Sequence, residues 1–365
     1  MKQKLLFNTF ILVLCSLSLS AQDQSELLEE IKALRGQISN LRHEFNQVDK
    51  GIDDIAWYNK VGDVAFIDKV TLTGPPLGDK KLKATKGNGN PLYYQNPLRI
   101  QTYLFIPKDI DPNKKYPLMV LPHGGVHSNF NSFYAHIIRE LMAQQYIVVA
   151  PEYRGSTGYG GGYYRAIDYG GLEVADVKAC RDYMVESYDI VDEKRIGIMG
   201  WSHGGLITLM NLFDYPGEYK VGYAGVPVSD LIARMGYKTQ GYRELYSVDY
   251  HIGKSAYQDT EEYKRRSPAW QAHKLQDPLL VHTNTNDSDV NVLEVQHLIK
   301  SLQASDKKFE HEVYEDIPGG HTFDRIDTNF AREVRLKVYR FLGEYLSPPR
   351  PFKDVQALKK AGYRF

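Results

Sequence analysis

A glycine-flanked serine stands where a predicted buried strand runs into a predicted helix. Residues 200–205 read Gly-Trp-Ser-His-Gly-Gly and follow the apolar run 195–199. Glycines on both sides of Ser202 permit a sharp turn, which leaves the hydroxyl free at the carboxyl edge of a sheet. The bare pattern also occurs by chance, as a bystander serine in a glycine-rich turn. The strand before it and the helix after it instead predict a nucleophile elbow.

Short apolar runs alternate with helical patterns along most of the chain. Eight runs are predicted as strands: 64–72, 100–106, 117–121, 147–150, 195–199, 221–225, 278–282 and 309–314. Helical patterns occupy 133–145, 172–186, the segment after 205, 293–303 and 329–345. Such alternation favours a mostly parallel sheet with helices on both faces. The predicted fold class is therefore α/β, in the α/β-hydrolase arrangement, with an eight-stranded sheet and a catalytic domain over residues 51–365.

An acid and a histidine follow the serine in the chain order that this arrangement requires. Asp287 comes just after the predicted strand 278–282, and His321 comes after the next strand. Both therefore lie on loops at strand carboxyl ends, where such sheets bind ligands. His321 is predicted to take the proton of Ser202 as general base, and Asp287 to orient the imidazole. Asp289 is the competing acid, because only placement after the strand separates the two aspartates.

A glycine pair follows the third predicted strand, where residues 123–127 read His-Gly-Gly-Val-His. The backbone N–H groups of Gly124 and His203 are predicted to form the oxyanion hole. His123 and His127 have the four-residue spacing of a helical metal pair, but two adjacent glycines argue against a helix there. No metal and no other cofactor is predicted.

The first residues indicate export. Two lysines precede the apolar run 5–19, and small residues follow it, so residues 1–21 are predicted to be a signal peptide. A short membrane anchor is the alternative, although the run is too short to span a bilayer comfortably. Lipid attachment through Cys15 is disfavoured by the bulky residue before it. Cleavage would leave Cys180 as the one cysteine, which suits a periplasmic or secreted protein without an internal disulfide.

Residues 22–50 are predicted to form a helix with a heptad seam. Its apolar side chains are spaced alternately four and three apart: Leu27, Ile31, Leu34, Ile38, Leu41, Phe45 and Val48. Two structures fit this pattern equally well. One is a coiled coil over 27–48 that joins copies of the chain or holds a partner. The other is an amphipathic helix that packs against the main domain.

The charge balance limits the classes of partner. The chain has 45 lysines and arginines and 45 aspartates and glutamates. It therefore has no global field that recruits nucleic acid or an anionic membrane. We expect a peptide or small ester substrate, no nucleic acid, and no membrane-spanning segment once the signal peptide is removed.

Taken in order, these motifs resemble the catalytic domain of the prolyl oligopeptidase family of serine peptidases, especially its dipeptidyl-peptidase and acylaminoacyl-peptidase branches. The matching segments are 123–125, 153–160, 200–205, 267–268, 278–282, 287–290 and 320–321, within roughly 103–346. The resemblance implies the same triad of serine, aspartate and histidine. It also implies a substrate pocket bordered by Val290, His123 and Tyr153.

The departures from the family pattern bear on specificity. Val126 stands where the family usually has proline, and threonines flank Asn284 where its peptidases commonly have glycine. The family's peptidases carry a large β-propeller, for which too few residues precede the matching region. Specificity for a peptide terminus is therefore not carried over. Residues 231–263 interrupt the alternation and are predicted to form a cap or, equally well, a surface insertion.

Three functions follow as hypotheses. A serine peptidase that acts on aminoacyl, dipeptidyl or acyl-peptide substrates is favoured by the resemblance. A carboxylesterase on small or carbohydrate-linked acyl esters would use the same acyl-enzyme route. A non-catalytic binding protein is the third hypothesis, and the complete set of triad and oxyanion elements disfavours it.

Overall fold

The computed structural model describes residues 21–76 and 98–363. The predicted signal peptide and Cys15 lie outside these residues, apart from Ala21, which begins the first helix. No helix in the described part of the chain combines the length and apolarity needed to cross a bilayer.

The eight predicted strands form one sheet. They are β1 (Ala65–Thr73), β2 (Arg99–Pro107), β3 (Tyr116–Val120), β4 (Ile147–Glu152), β5 (Val191–Trp201), β6 (Val221–Gly225), β7 (Leu279–Asn284) and β8 (Glu310–Tyr314). Their order is β1-β2-β4-β3-β5-β6-β7-β8. The β1–β2 and β2–β4 pairs are antiparallel, and every pair from β4 to β8 is parallel. The predicted α/β-hydrolase fold is confirmed.

Helices cover both faces of this sheet. They are α1 (Ala21–Val61), α2 (Ala135–Ala143), α3 (Gly160–Tyr164), α4 (Leu172–Ser187), α5 (His203–Asp214), α6 (Leu231–Tyr237), α7 (Gln240–Ser247), α8 (Thr260–Arg265), α9 (Pro268–Gln271), α10 (Val292–Ala304), α11 (Asn329–Leu346) and α12 (Val355–Gly362). Because side chains alternate along a strand, each central strand contributes to two cores. In β3, Leu118 and Val120 join the core under α4, α5 and α10, whereas Met119 joins the core under α2 and α11.

The first helix continues past the predicted end at residue 50, to Val61. Trp57 near its end is fully buried, with its ring 5.0 Å from that of Phe105 and 5.3 Å from that of Phe130. Burial of a large aromatic side chain stabilises the folded state by about 2–3 kcal/mol. The C-terminal part of α1 therefore belongs to the core of the main domain, and it packs there through residues that lie off the heptad seam.

Candidate active site

Ser202 lies in the turn between β5 and α5. Its backbone has φ 58° and ψ −120°, a conformation that side-chain-bearing residues rarely adopt. Two glycines make the turn sterically feasible. A Cβ atom on Gly200 would lie 2.4 Å from the carbonyl oxygen of Gly204, and one on Gly204 would lie 2.3 Å from that of Pro122. This is the geometry of a nucleophile elbow, with the serine at the N-terminus of a helix.

Asp287 and His321 meet at the carboxyl ends of β7 and β8. Nδ1 of His321 lies 2.6 Å from Oδ2 of Asp287, whose side chain is fully buried. The other carboxylate oxygen accepts hydrogen bonds from the amides of Asp289, at 2.8 Å, and Val290, at 2.9 Å. Because the carboxylate accepts the proton on Nδ1, the neutral ring leaves Nε2 as a base.

Asp289 lies on the opposite side of the imidazole. Its Oδ2 is 3.7 Å from Nε2 of His321, and its Oδ1 accepts a hydrogen bond from Lys238 at 2.6 Å. Burial alone would raise the pKa of Asp289, but the Lys238 hydrogen bond and the charges of His321 and Arg234 hold that pKa below its usual value. The structure therefore gives the two aspartates different places: Asp287 orients the ring, and Asp289 lies on its Nε2 side.

The loop that carries His321 is fastened by two side chains that the sequence analysis missed. Asn284, at the end of β7, donates to the carbonyl oxygen of Ile317 at 2.8 Å. The guanidinium of Arg325 donates to the carbonyl oxygen of His321 itself. Asn284 lies between the two threonines at which the sequence departs from the family's glycine, and that departure was the signal that could have revealed this role.

Asp324 joins the histidine loop to the serine turn. Its buried carboxylate accepts a hydrogen bond from Nε1 of Trp201 at 2.5 Å and another from the hydroxyl of Tyr223 at 2.9 Å. Trp201 directly precedes Ser202. A buried hydrogen-bonded carboxylate of this kind holds both segments in one geometry. In the sequence, an acidic residue three positions after His321 gave no sign of this contact.

Gly124 and His203 lie beside the serine, as predicted for oxyanion donors. A Cβ atom on Gly124 would lie 3.5 Å from Cβ of Ser202. His203 is the first residue of α5, so its amide has no acceptor within the helix. The amide of Gly124, however, already donates to the hydroxyl of Tyr134 at 3.3 Å. The His203 amide is thus the donor that the fold leaves available.

The three residues expected at the pocket surface lie beneath it. Val290, His123 and Tyr153 each have 0% exposure. His123 stacks on Tyr153 at 4.2 Å, its Nε2 lies 2.8 Å from Oγ of Ser156, and Tyr153 donates to the carbonyl of Gly125 at 2.9 Å. Burial, with the nearby charges of Lys50 and His203, lowers the pKa of His123 to about 3. The prediction that His123 and Tyr153 line the pocket is therefore wrong. Both side chains lie under the backbone of residues 123–127, the glycine loop, and support it.

The side chain of His203 faces a buried carboxylate. Its Nε2 lies 3.3 Å from Oε1 of Glu173, which is fully buried at the start of α4 and also accepts the amides of Gly170 and Gly171. Burial would raise the pKa of Glu173, but the hydrogen bond and charge of His203 and the Gly170 amide lower it to about 2. Glu173 thus holds the residue that follows the nucleophile.

The segment 231–263 packs against the loops that surround the site. Tyr246 stacks on Tyr169 with ring centroids 4.4 Å apart. Nε2 of His251 lies 2.9 Å from Nε2 of His127, so the second histidine of the glycine loop faces this segment and not His123. Lys238 of the same segment binds Asp289. The segment therefore contacts both the loop of residues 123–127 and the loop that carries Asp289.

The last turns of α1 contact the chain that follows the glycine loop. Nζ of Lys50 donates to the carbonyl oxygen of Phe130 at 2.5 Å. Asp53 accepts the amide of Ser132 at 2.9 Å, and Lys60 donates to the Ser132 hydroxyl at 2.8 Å. The sequence pattern did not indicate these contacts, because polar residues opposite an apolar seam are typical of a solvent-facing surface.

Comparison with known proteins places these residues in a family context. A family model described as the prolyl oligopeptidase family matches residues 131–348, which include Ser202, Asp287 and His321. The chain is 28% identical over 211 residues to the uncharacterized peptidase YuxL of Bacillus subtilis (strain 168), covering 57% of this chain and 32% of that protein. It is 31% identical over 222 residues to dipeptidyl peptidase 8 of Homo sapiens, covering 58% of this chain and 24% of that protein.

A solved structure shares the fold. Dipeptidyl peptidase 4 of Porphyromonas gingivalis superposes with a TM-score of 0.60 at 22% sequence identity, covering 78% of this chain and 36% of that chain. The chain spans less than a third of the length of the two curated relatives, 32% and 24%. The similarity is therefore to one part of these larger proteins.

Proposed function

The chain belongs to the prolyl oligopeptidase family, and on that premise we propose that it is a serine peptidase that works through an acyl-enzyme. The observation that carries the proposal is the 2.6 Å contact between Nδ1 of His321 and the buried carboxylate of Asp287. This pair lies on loops at the carboxyl edge of the sheet, the same edge at which Ser202 occupies its strained elbow. The combination supplies a nucleophile, a base and a group that orients the base.

The proposed reaction has two halves. Oγ of Ser202 attacks the substrate carbonyl while Nε2 of His321 takes the hydroxyl proton. Asp287 acts as a positioning residue that stabilises the imidazolium, and the His203 amide donates to the oxyanion, with Gly124 as second donor once Tyr134 releases it. The tetrahedral intermediate collapses, and the imidazolium gives its proton to the leaving amine. Water then attacks the acyl-enzyme with the same base and regenerates Ser202.

Peptide substrates are supported by the relatives. One of them, at 31% identity, is named a dipeptidyl peptidase. We therefore propose aminoacyl, dipeptidyl or acyl-peptide bonds as the substrate class. A carboxylesterase on small or carbohydrate-linked acyl esters is the second candidate, because esters follow the same acyl-enzyme route.

The test compares the native protein with Ser202→Ala on matched substrates, dipeptidyl and aminoacyl anilides against short acyl esters. Anilide turnover that is lost in the variant supports the peptidase, whereas turnover of esters alone assigns the esterase. A fluorophosphonate probe labels the nucleophile directly. The control Ser288→Ala changes an exposed serine of the aspartate loop and should keep full labelling. Equal labelling of Ser202→Ala would remove Ser202 from the mechanism.

Export and self-association belong to the same proposal. The lysines and apolar run of residues 1–21 support a cleaved signal peptide and a periplasmic or secreted protein. N-terminal sequencing of the protein recovered from its native compartment tests this, since cleavage would expose Gln22. The heptad seam over 27–48 supports association with further copies of the chain through a coiled coil.

A further inference from the structure

The seam of α1 is exposed and longer than its sequence pattern first indicates. Each of its side chains is exposed, from 37% for Ile31 to 72% for Phe45. The same alternation continues to Ile52 and Ile55, which are 63% and 66% exposed. The helix has 41 residues, about 60 Å at the rise of an α-helix. A continuous apolar stripe of this length, open to water, is typical of an interaction surface.

From His43 to the end of the helix, the face opposite this stripe is already occupied. Lys50 and Trp57 are buried against the main domain, and the His43 ring contacts that of Tyr164 at 5.2 Å. In the heptad these three residues occupy the f positions, which lie diametrically opposite the a and d positions of the seam. The catalytic domain therefore attaches to one face of the C-terminal half of α1 and leaves the seam clear for a partner along its whole length.

The residue types at the seam specify the partner. The a positions hold Ile31, Ile38, Phe45 and Ile52, and the d positions hold Leu27, Leu34, Leu41, Val48 and Ile55. β-branched residues at a with leucine at d favour two parallel strands over trimers and tetramers. Three a positions have isoleucine and three d positions have leucine, so this stripe matches the two-stranded pattern over most of its length.

The flanking charges select the orientation. In a parallel pair, the g residue Glu30 meets the e residue Arg35 of the second copy, and this attraction occurs twice by symmetry. Glu44 and Asp49 repel each other in that arrangement. An antiparallel pair that keeps the seam in register instead sets Arg35 against Arg42 and gains no opposite-charge contact at these positions. The two attractions of the parallel pair thus offset its two Glu44–Asp49 repulsions, whereas the antiparallel pair has the Arg35–Arg42 repulsion alone.

We propose that two copies of this chain associate through residues 27–55 of α1 as a parallel two-stranded coiled coil. The two catalytic domains then lie on the outer, f faces of the pair. The inference rests on the proposed self-association of the seam and is independent of the peptidase assignment. A second copy is the occupant because the seam is complementary to itself both in a and d residue type and in the Glu30–Arg35 pair.

The first experiment measures mass in solution by light scattering. The native protein should be a dimer. Ile38→Asp with Leu41→Asp should yield monomers, because both side chains are exposed, at 58% and 52%, and their replacement leaves the folded domain intact. The matched control, Ser39→Asp with Asn40→Asp, changes the b and c positions between them and should remain dimeric. A monomeric native protein would overturn both this inference and the self-association proposal. A trimer or tetramer would overturn only the two-stranded arrangement.

The second experiment measures orientation with a short bis-maleimide cross-linker. Leu34→Cys, in a Cys15→Ser background that keeps the buried Cys180, should cross-link efficiently to its own copy, since equal d positions meet in a parallel pair. Ser39→Cys on the outer surface should not. In an antiparallel pair residue 34 meets residue 45, so preferential cross-linking in a mixture of Leu34→Cys and Phe45→Cys chains would overturn the proposal. Fluorophosphonate labelling of the same samples reports separately on Ser202.

Discussion

Lys50 of α1 and Glu152 at the end of β4 form a buried ion pair. Nζ of the lysine lies 2.7 Å from Oε1 of the glutamate, with the side chains 2% and 0% exposed. The other oxygen of Glu152 accepts the amide of Phe130 at 3.1 Å and lies 3.4 Å from Nε2 of His123. One ion pair therefore connects the N-terminal helix, the strand that supports the site, and the glycine loop.

Lys50→Met should lower the free energy of unfolding by about 3–5 kcal/mol, because it leaves a buried carboxylate without its partner. Burial raises the pKa of Glu152 even beside Lys50, and losing the lysine raises it further. A carboxyl whose folded pKa is raised loses stability as pH rises from its unfolded value, 4.5, through the folded value. We therefore expect the loss of unfolding free energy in Lys50→Met, measured by urea unfolding, to be small below pH 4.5 and to grow towards neutral pH.

Two control variants test whether this loss of stability comes from the ion pair. Lys50→Met with Glu152→Gln should recover much of the stability and remove the pH dependence, because no uncompensated charge remains. Lys32→Met, on the exposed part of the same helix, should change the free energy of unfolding by less than about 0.5 kcal/mol. A Lys50→Met deficit as small as that of Lys32→Met would show that the pair contributes nothing to the fold.

Asp287→Asn should lower kcat by about 10⁴-fold, because the amide stabilises the wrong tautomer of His321. Asp289→Asn should lower kcat by less than about tenfold, because its carboxylate lies 3.7 Å from Nε2 and does not orient the ring. Steady-state kinetics on the best chromogenic substrate, with circular dichroism as a fold check, measures both. The reverse ranking would exchange the two assignments.

Glu173→Gln should destabilise the protein by up to about 3 kcal/mol at neutral pH, the value of a pKa lowered from 4.5 to about 2. A carboxyl with a lowered folded pKa contributes its stability above the unfolded pKa and loses it as pH falls through the folded one. The difference between native and variant should therefore be constant above pH 4.5 and shrink from there towards pH 2. Glu186→Gln, at an exposed position of the same helix, is the control and should show no such dependence on pH. A loss of stability in Glu173→Gln that does not change with pH would argue against an ionised buried carboxylate.

Tyr223→Phe should lower the free energy of unfolding by about 1.5–3 kcal/mol, since its hydroxyl donates to the Asp324 carboxylate. It should also lower kcat, because that carboxylate ties the histidine loop to Trp201. The matched control is Tyr219→Phe, which removes an equally buried 2.9 Å bond to Asn211 away from the site. Tyr219→Phe should lower the free energy of unfolding by about 0.5–1.5 kcal/mol and leave kcat unchanged. Equal effects on kcat would mean that Asp324 has no positioning role.

Local patterns were sufficient for the fold and for the chain order of the site. The strand runs, the glycines around Ser202 and the spacing to Asp287 and His321 are properties of short segments, and turn chemistry and side-chain periodicity act within such segments. They could not show whether His123 and Val290 line a pocket or lie under it. That depends on which other segments cover them.

The sequence by itself determined an α/β sheet, an elbow at Ser202, candidate partners in order, and an apolar stripe on the first helix. Only the tertiary structure decided that Asp287 and not Asp289 meets Nδ1 of His321, and that Lys50 is buried while the stripe beside it is exposed. The physical reason is the same in each case. A charged side chain has the same place in a sequence pattern whether it is solvated by water or paired with a buried carboxylate distant in sequence. The carboxylate comes within reach only after the sheet and its helices have packed.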